Sequence, residues 1–167
     1  MNIISLWGCS LGTLLFAPLA LSAQLTLEVQ GHKNKSGQLQ IAISRVIDQL
    51  SDDLLWGDLE SVRKLTLNIG SVQRQQNIVK LTIEDLPTGL TCIRLYLDLN
   101  NNQLLERSAI GLPLEPVGFS NNLSLFMGEP SPADSCFELH DADNVHRVNL
   151  KQPKKRKRKS KLGAVIN

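Results

Sequence analysis

A period of two runs through most of this chain and limits its fold more than any other feature. In residues 24–30, Leu25, Leu27 and Val29 alternate with Thr26, Glu28 and Gln30. Successive side chains of a strand point to opposite faces, so this is the pattern of a strand with one buried and one wet face. The alternation returns in residues 39–43, 65–69, 78–83 and 92–99. It is clearest in the last of these, where Ile93, Leu95, Leu97 and Leu99 interleave with Cys92, Arg94, Tyr96 and Asp98. Residues 136–139 and 145–150 complete a set of seven expected strands. Turn-forming residues separate them at 31–37, at Pro87-Thr88-Gly89 and at Asp141-Ala142-Asp143-Asn144. The first turn is expected to make a hairpin of the first two strands, and the last a closing hairpin of the final two.

Seven short strands with turns between them predict an all-β antiparallel sandwich of the immunoglobulin or transthyretin kind. A partly open barrel is the alternative, because period alone does not separate the two. Ile47, Leu50 and Leu54 recur at helical spacing, and Ser51 precedes Asp52 and Asp53, which predicts one short helix between the second and third strands. The 167 residues suit one domain, which we place at 24–150.

Residues 3–23 carry no charge, and their apolar centre ends in Leu21-Ser22-Ala23. This predicts a signal peptide over residues 1–23, cut near Ala23, and a protein exported to the periplasm or the extracellular space. An uncleaved anchor is the alternative. Cys9 in Leu6-Trp7-Gly8-Cys9 precedes most of the apolar stretch instead of following it, so lipidation is not expected. Cleavage leaves Cys92 and Cys136. Both lie opposite the apolar residues of their strands, so a disulfide forms if those strands are neighbours; two separate buried thiols are the alternative.

Charge is distributed unevenly. Eight of the 18 basic residues fall in 151–161 with no acidic residue among them, leaving ten against all 16 acidic residues, a deficit of six. An acidic domain therefore carries a basic tail, expected to be disordered over 151–167. Lys154, Lys155, Arg156, Lys157, Arg158 and Lys159 suit an anionic membrane or polysaccharide surface of the envelope, or else are simply solvated. Nucleic acid is a poorer partner for them, since no aromatic residue interleaves with the charges to stack on bases.

The segment 100–135 is rich in Gly, Pro, Asn and Ser, yet it holds Phe119 and Phe126, which predicts an ordered surface loop pinned by two rings. Its residues resemble a known family. The blocks are Leu86-Pro87-Thr88-Gly89, Tyr96 to Asn102 with Leu105-Glu106, Gly111-Leu112-Pro113-Leu114-Glu115, Gly118-Phe119-Ser120-Asn121-Asn122, and Gly128-Glu129-Pro130-Ser131 followed by Asp134. In order and spacing they are similar to the exported proteins catalogued as domain of unknown function 2141. That resemblance implies an exported sandwich-like domain and no particular activity. Asn101 and Gln103 stand where the family usually has glycines, and the tail lies outside its pattern.

Several clusters are candidate sites. Asp98, Asn100 and Asn102 alternate and are followed by Glu106, a spacing that wraps a loop around Ca²⁺; binding would be weak, and an Asn-rich turn is the alternative. Glu115, Phe119, Ser120, Asn121 and Asn122 are expected to belong to a contact loop. Ser120 lacks the second glycine of a hydrolase elbow and is expected to cap loop backbone. His140, Asp141, Asp143 and His146 read as a turn before a metal set, and His32 as a solvated turn histidine. The expected function is a non-enzymatic binding or structural module of the envelope. An envelope hydrolase using the 98–130 region is the alternative.

Overall fold

A computed structural model describes residues 22–125 and 128–152. The alternating segments form eight strands: β1 (Ser22–Gln30), β2 (Gly37–Arg45), β3 (Glu60–Ile69), β4 (Ile78–Pro87), β5 (Gly89–Asp98), β6 (Val117–Phe119), β7 (Cys136–Leu139) and β8 (Asp143–Asn149). They make two sheets, one ordered β4-β1-β8 and the other β3-β2-β5-β6, with β7 also paired to β5. Every pair is antiparallel except β1 with β8, which is parallel. The inward residues of both sheets, among them Leu25, Leu27, Leu39, Ile43, Ile93, Leu95 and Leu97, meet in one core. Each such side chain, fully buried, contributes about 1.5–3 kcal/mol. The result is the expected all-β sandwich, with separate sheets where a barrel would have closed on itself.

Three expectations about connection and helix are corrected. β1 and β2 are not a hairpin, because β1 lies in the three-stranded sheet and β2 in the five-stranded one. Residues 31–36 instead carry the chain from one layer to the other, about 10 Å away. Gly31 permits this at φ 84, where a Cβ would lie 2.3 Å from the Leu150 carbonyl oxygen. His32 follows it inward at 1% exposure, so it is a buried histidine and not a solvated one. Its Nε2 meets the Gln73 carbonyl at 3.0 Å and docks the helical turn α1 (Ser71–Gln75) onto this connection.

The closing hairpin is also absent, since β7 pairs with β5 while β8 crosses to β1. Asn144 makes that crossing by donating its amide to the carbonyls of Gln24, His140 and Ala142. The helix expected near residue 50 is replaced by turns. Ile47 is 66% and Leu50 41% exposed, so no apolar surface lies opposite for an amphipathic helix to bury. The longest helical pieces among the described residues are single turns, α1 and α2 (Pro132–Ser135), the latter capped by Ser131 with proline at its start.

β1 begins at Ser22, so two residues assigned to the signal peptide are built into the sheet. Ala23 pairs with Leu86 and is buried. Residues 1–21, which hold the rest of the expected signal peptide, lie outside the described residues, as do Phe126 and the tail beyond Gln152.

Candidate functional site

The long segment after β5 is organised by two buried carboxylates. Asp98, fully buried at the end of β5, accepts the backbone N–H of Asn102 at 3.3 Å and that of Gln103 at 2.7 Å. Glu115, 3% exposed, accepts the N–H of Leu99 at 2.8 Å and that of Glu106 at 3.4 Å. Asn100 and Asn102 accept from the N–H groups of Asn102 and Leu104, and both donate their amides to Glu106 Oε1. Asp98, Asn100, Asn102 and Glu106 are thus brought together, with their oxygens engaged in turn hydrogen bonds. Asn101 and Gln103, where the family pattern has glycine, adopt positive φ of 58° and 63°. The two carboxylates and burial raise the pKa of Tyr96, burial first, while Arg94 opposes them. The Tyr96 hydroxyl donates to the Gln103 carbonyl at 2.9 Å and ties the turn back to β5.

Ser120, Asn121 and Asn122 form a knot between the two sheets. β7 pairs with β5 as far as Cys92, and β6 takes over at Arg94, so Ile93 falls in a gap of the ladder. The Ser120 hydroxyl fills that gap. It accepts the Ile93 N–H at 2.7 Å, donates to the Ile93 carbonyl at 3.2 Å, and is completely buried. Asn121 donates its amide to the carbonyls of Asp134 and Cys136. Asn122 donates to the Arg147 carbonyl at 2.7 Å and accepts the Asn149 N–H at 2.6 Å, so its side chain pairs like a strand residue with the outer edge of β8. Both asparagines sit at positive φ, which asparagine tolerates better than most residues. Gly118 points into the core, where a Cβ would meet Val148 Cγ1 at 2.8 Å.

Of the expected contact loop, Glu115, Phe119 and Ser120 therefore lie beneath the surface, at 3%, 2% and 0% exposure. Phe119 and Val117 occupy the outer face of β6, opposite Arg94 and Tyr96 of β5. A second layer covers them. Trp56, from the 46–59 connection, lies 5.5 Å from the Phe119 ring and donates Nε1–H to the Pro130 carbonyl at 2.9 Å. Arg94 stands 5.8 Å from the centre of the same indole and 3.6 Å from Glu129, which also pairs with Arg107.

Where this cover ends, the outer face of the five-stranded sheet is open. A cleft of about 330 Å³ lies there, lined by Gln40, Ile41 and Ala42 of β2, Lys64 of β3, Arg94 and Tyr96 of β5, and Gln103. Ala42 faces Lys64 on one side and Arg94 on the other. Sequence reasoning missed Trp56, Lys64 and the cleft as a whole. Each residue is an ordinary outward or loop position, and only the order β3-β2-β5 brings them together.

Cys92 and Cys136 are directly opposite on β5 and β7, with Cα atoms 4.2 Å apart, and are joined as a disulfide. His140, Asp141, Asp143 and His146 are not gathered; among the described residues no metal-sized group of such side chains exists. His146 instead stacks on Phe137 at 3.9 Å, and burial lowers its pKa. The basic residues Lys154 to Lys159 lie outside the described residues.

A family model of uncharacterized proteins conserved in bacteria, domain of unknown function 2141, matches residues 27–147. The chain belongs to this family. The match spans both sheets and includes the Gly118 to Asn122 knot, so the blocks noted in the sequence coincide with what ties this family member's layers together. No curated protein and no solved structure is similar enough to the chain to match it. No helix among the described residues is long and apolar enough to cross a membrane.

Proposed function

We propose that this protein is an exported, non-enzymatic binding module of the cell envelope, working in the periplasm or at the cell surface. The observation that carries the proposal is the division of labour on the outer face of the five-stranded sheet. The polar residues of the family blocks are spent on backbone, while the open half of that face keeps a cleft in which, among the described residues, the Lys64 ammonium has no side-chain partner. Clefts with a few convergent polar groups are the usual form of a binding site. The runner-up, a hydrolase using residues 98–130, gains no support from Ser120, whose hydroxyl is buried with both of its bonds made to Ile93.

In this reading the basic tail, Lys154 to Lys159, holds the acidic body against an anionic envelope surface, an attraction that weakens as salt rises. The 98–106 turn adds weak Ca²⁺ binding through Asp98, Asn100, Asn102 and Glu106, weak because the ion must displace the hydrogen bonds those side chains already make within the turn. The decisive experiment is sedimentation of the purified mature protein with isolated envelope material. Co-sedimentation at physiological salt is expected. Protein left in the supernatant, or turnover of an ester or glycoside that Ser120→Ala abolishes, overturns the proposal.

A further inference from the structure

We infer that the cleft over Ala42 is a binding site for a carboxylate-bearing sugar unit of an acidic polysaccharide. The inference rests on the binding-module reading above and names its ligand. Two charged side chains line the cleft, Lys64 and Arg94, and both are basic. This is notable on a body in which acidic residues outnumber basic ones by six once the tail is set aside. Both side chains flank Ala42 on neighbouring strands, so their Cα atoms are about 10 Å apart with only a methyl group between them. Two long cationic side chains on either side of a small residue can close on one carboxylate above it, with the Arg94 guanidinium swinging from its place beside Glu129 and Trp56. Among the described residues the Lys64 side chain forms no ion pair or hydrogen bond. Arg94 shares the single carboxylate of Glu129 with Arg107, so the two arginines together keep an excess of one positive charge.

The rest of the lining selects for hydroxyl groups. Gln103 offers an amide at one end beside the Tyr96 ring, and Gln40, which donates to Gln38 and accepts from Thr66, keeps one amide hydrogen for a ligand. Further along the same face, Gln40 lies opposite Thr66 and Gln38 opposite Asn68; Gln38, Gln40 and Thr66 are linked by hydrogen bonds into a polar row that continues from the cleft along β2 and β3. A cleft of about 330 Å³ is sized for one or two sugar rings, and the polar row beyond it suits further units of a chain. A lipid would leave the Lys64 ammonium without a partner, whereas the apolar lining from Ile41, Ala42 and the Tyr96 ring suits the carbon face of a sugar.

The test is calorimetry of the full mature protein with a trisaccharide of galacturonic acid at physiological salt. Galactotriose serves as the neutral control, and sodium acetate as a simple anion. Binding of the acidic trisaccharide alone is expected, with acetate unable to displace it. Lys64→Gln should weaken binding about tenfold, the effect of one lost charge-assisted contact. Ala42→Phe should abolish it by filling the cleft, with melting checked for both variants. The basic tail is common to every protein compared, so differences between variants report on the cleft. Absence of heat with the trisaccharide overturns the inference. So does equal binding by wild type and Lys64→Gln, or displacement by acetate. If envelope co-sedimentation persists in those cases, the ligand assignment fails and the binding-module reading stands.

Discussion

Replacing Ser120 with alanine separates a structural role from a catalytic one. The Ser120 hydroxyl is the partner of Ile93 in the gap between β7 and β6, with the N–H held at 2.7 Å and the carbonyl at 3.2 Å. Alanine leaves that N–H buried and unpaired, because Ile93 and position 120 are both fully buried and no solvent replaces the lost oxygen. An orphaned buried donor costs about 1–3 kcal/mol, a large share of the roughly 5–15 kcal/mol that holds a domain folded. With a urea slope near 2 kcal/mol/M, a loss of about 2 kcal/mol lowers the unfolding midpoint by about 1 M. The exposed Ser61→Ala on β3 is the control and should stay within about 0.5 kcal/mol of wild type. Oxidised protein is used throughout, so the disulfide is constant. A Ser120→Ala midpoint that matches wild type, with an unchanged slope, would refute the gap-filling role.

Reduction of the Cys92–Cys136 bond, which joins residues 44 apart, should cost up to about 4 kcal/mol by the chain-entropy estimate, read as a lower urea midpoint with reductant. Acid should act through Glu28, whose pKa is lowered by bonds from Lys80 and Arg147 on the strands either side. The stability it adds is complete above its ordinary value of 4.5 and lost as pH falls through the lowered one; Glu28→Gln should therefore be less stable at neutral pH and converge on wild type in acid. His146 acts earlier, because the unfolded imidazole takes up a proton near 6.5 that the folded one declines, so stability should begin to fall below that pH, and a flat profile from 7 to 5 would contradict its burial. Ca²⁺ at ten times its dissociation constant should add about 1.4 kcal/mol to stability, and an unchanged melting temperature in millimolar Ca²⁺ would reduce the 98–106 loop to a turn.

Alternation in the sequence states which side of a strand is buried, and within the strands it was largely reliable, failing at the end of β5, where Asp98 is fully buried and Leu99 is 42% exposed. Leu25, Leu27 and Val29 are inward, as are Ile93, Leu95 and Leu97. It carries no information about neighbours, which is why two apparent hairpins are crossings between sheets. The turn signals at 31–37 and 141–144 are the same whether a chain reverses within a sheet or steps to the facing one. β6 escaped detection for a different reason. It has three residues, and its outward positions Val117 and Phe119 are apolar and buried, Phe119 against Trp56, so no alternation exists to be read. The spacing of Ile47, Leu50 and Leu54 misled in the opposite sense, since two of those side chains face solvent.

The site was legible in inverse proportion to its role in the fold. Oxygen-bearing residues at Asp98, Asn100 and Asn102 stood out as ligands, yet an oxygen that can hold a cation is equally able to accept a backbone N–H, and in this loop those bonds are made. Ser120, Asn121 and Asn122 stood out as contacts because polar residues clustered in a long loop usually meet solvent or a partner. They are polar here because a broken ladder and an open strand edge have donors and acceptors that must be matched within the protein. Lys64, Arg94 and Gln40 carried no signal, being ordinary wet positions of alternating strands. Outward strand positions are free of packing demands, so they are where a sandwich can vary its chemistry without losing its fold. The order β3-β2-β5 turns three such positions, far apart in the chain, into one cationic and amide-lined cleft. The cleft is written across strands, at a register that only the assembled sheet makes visible.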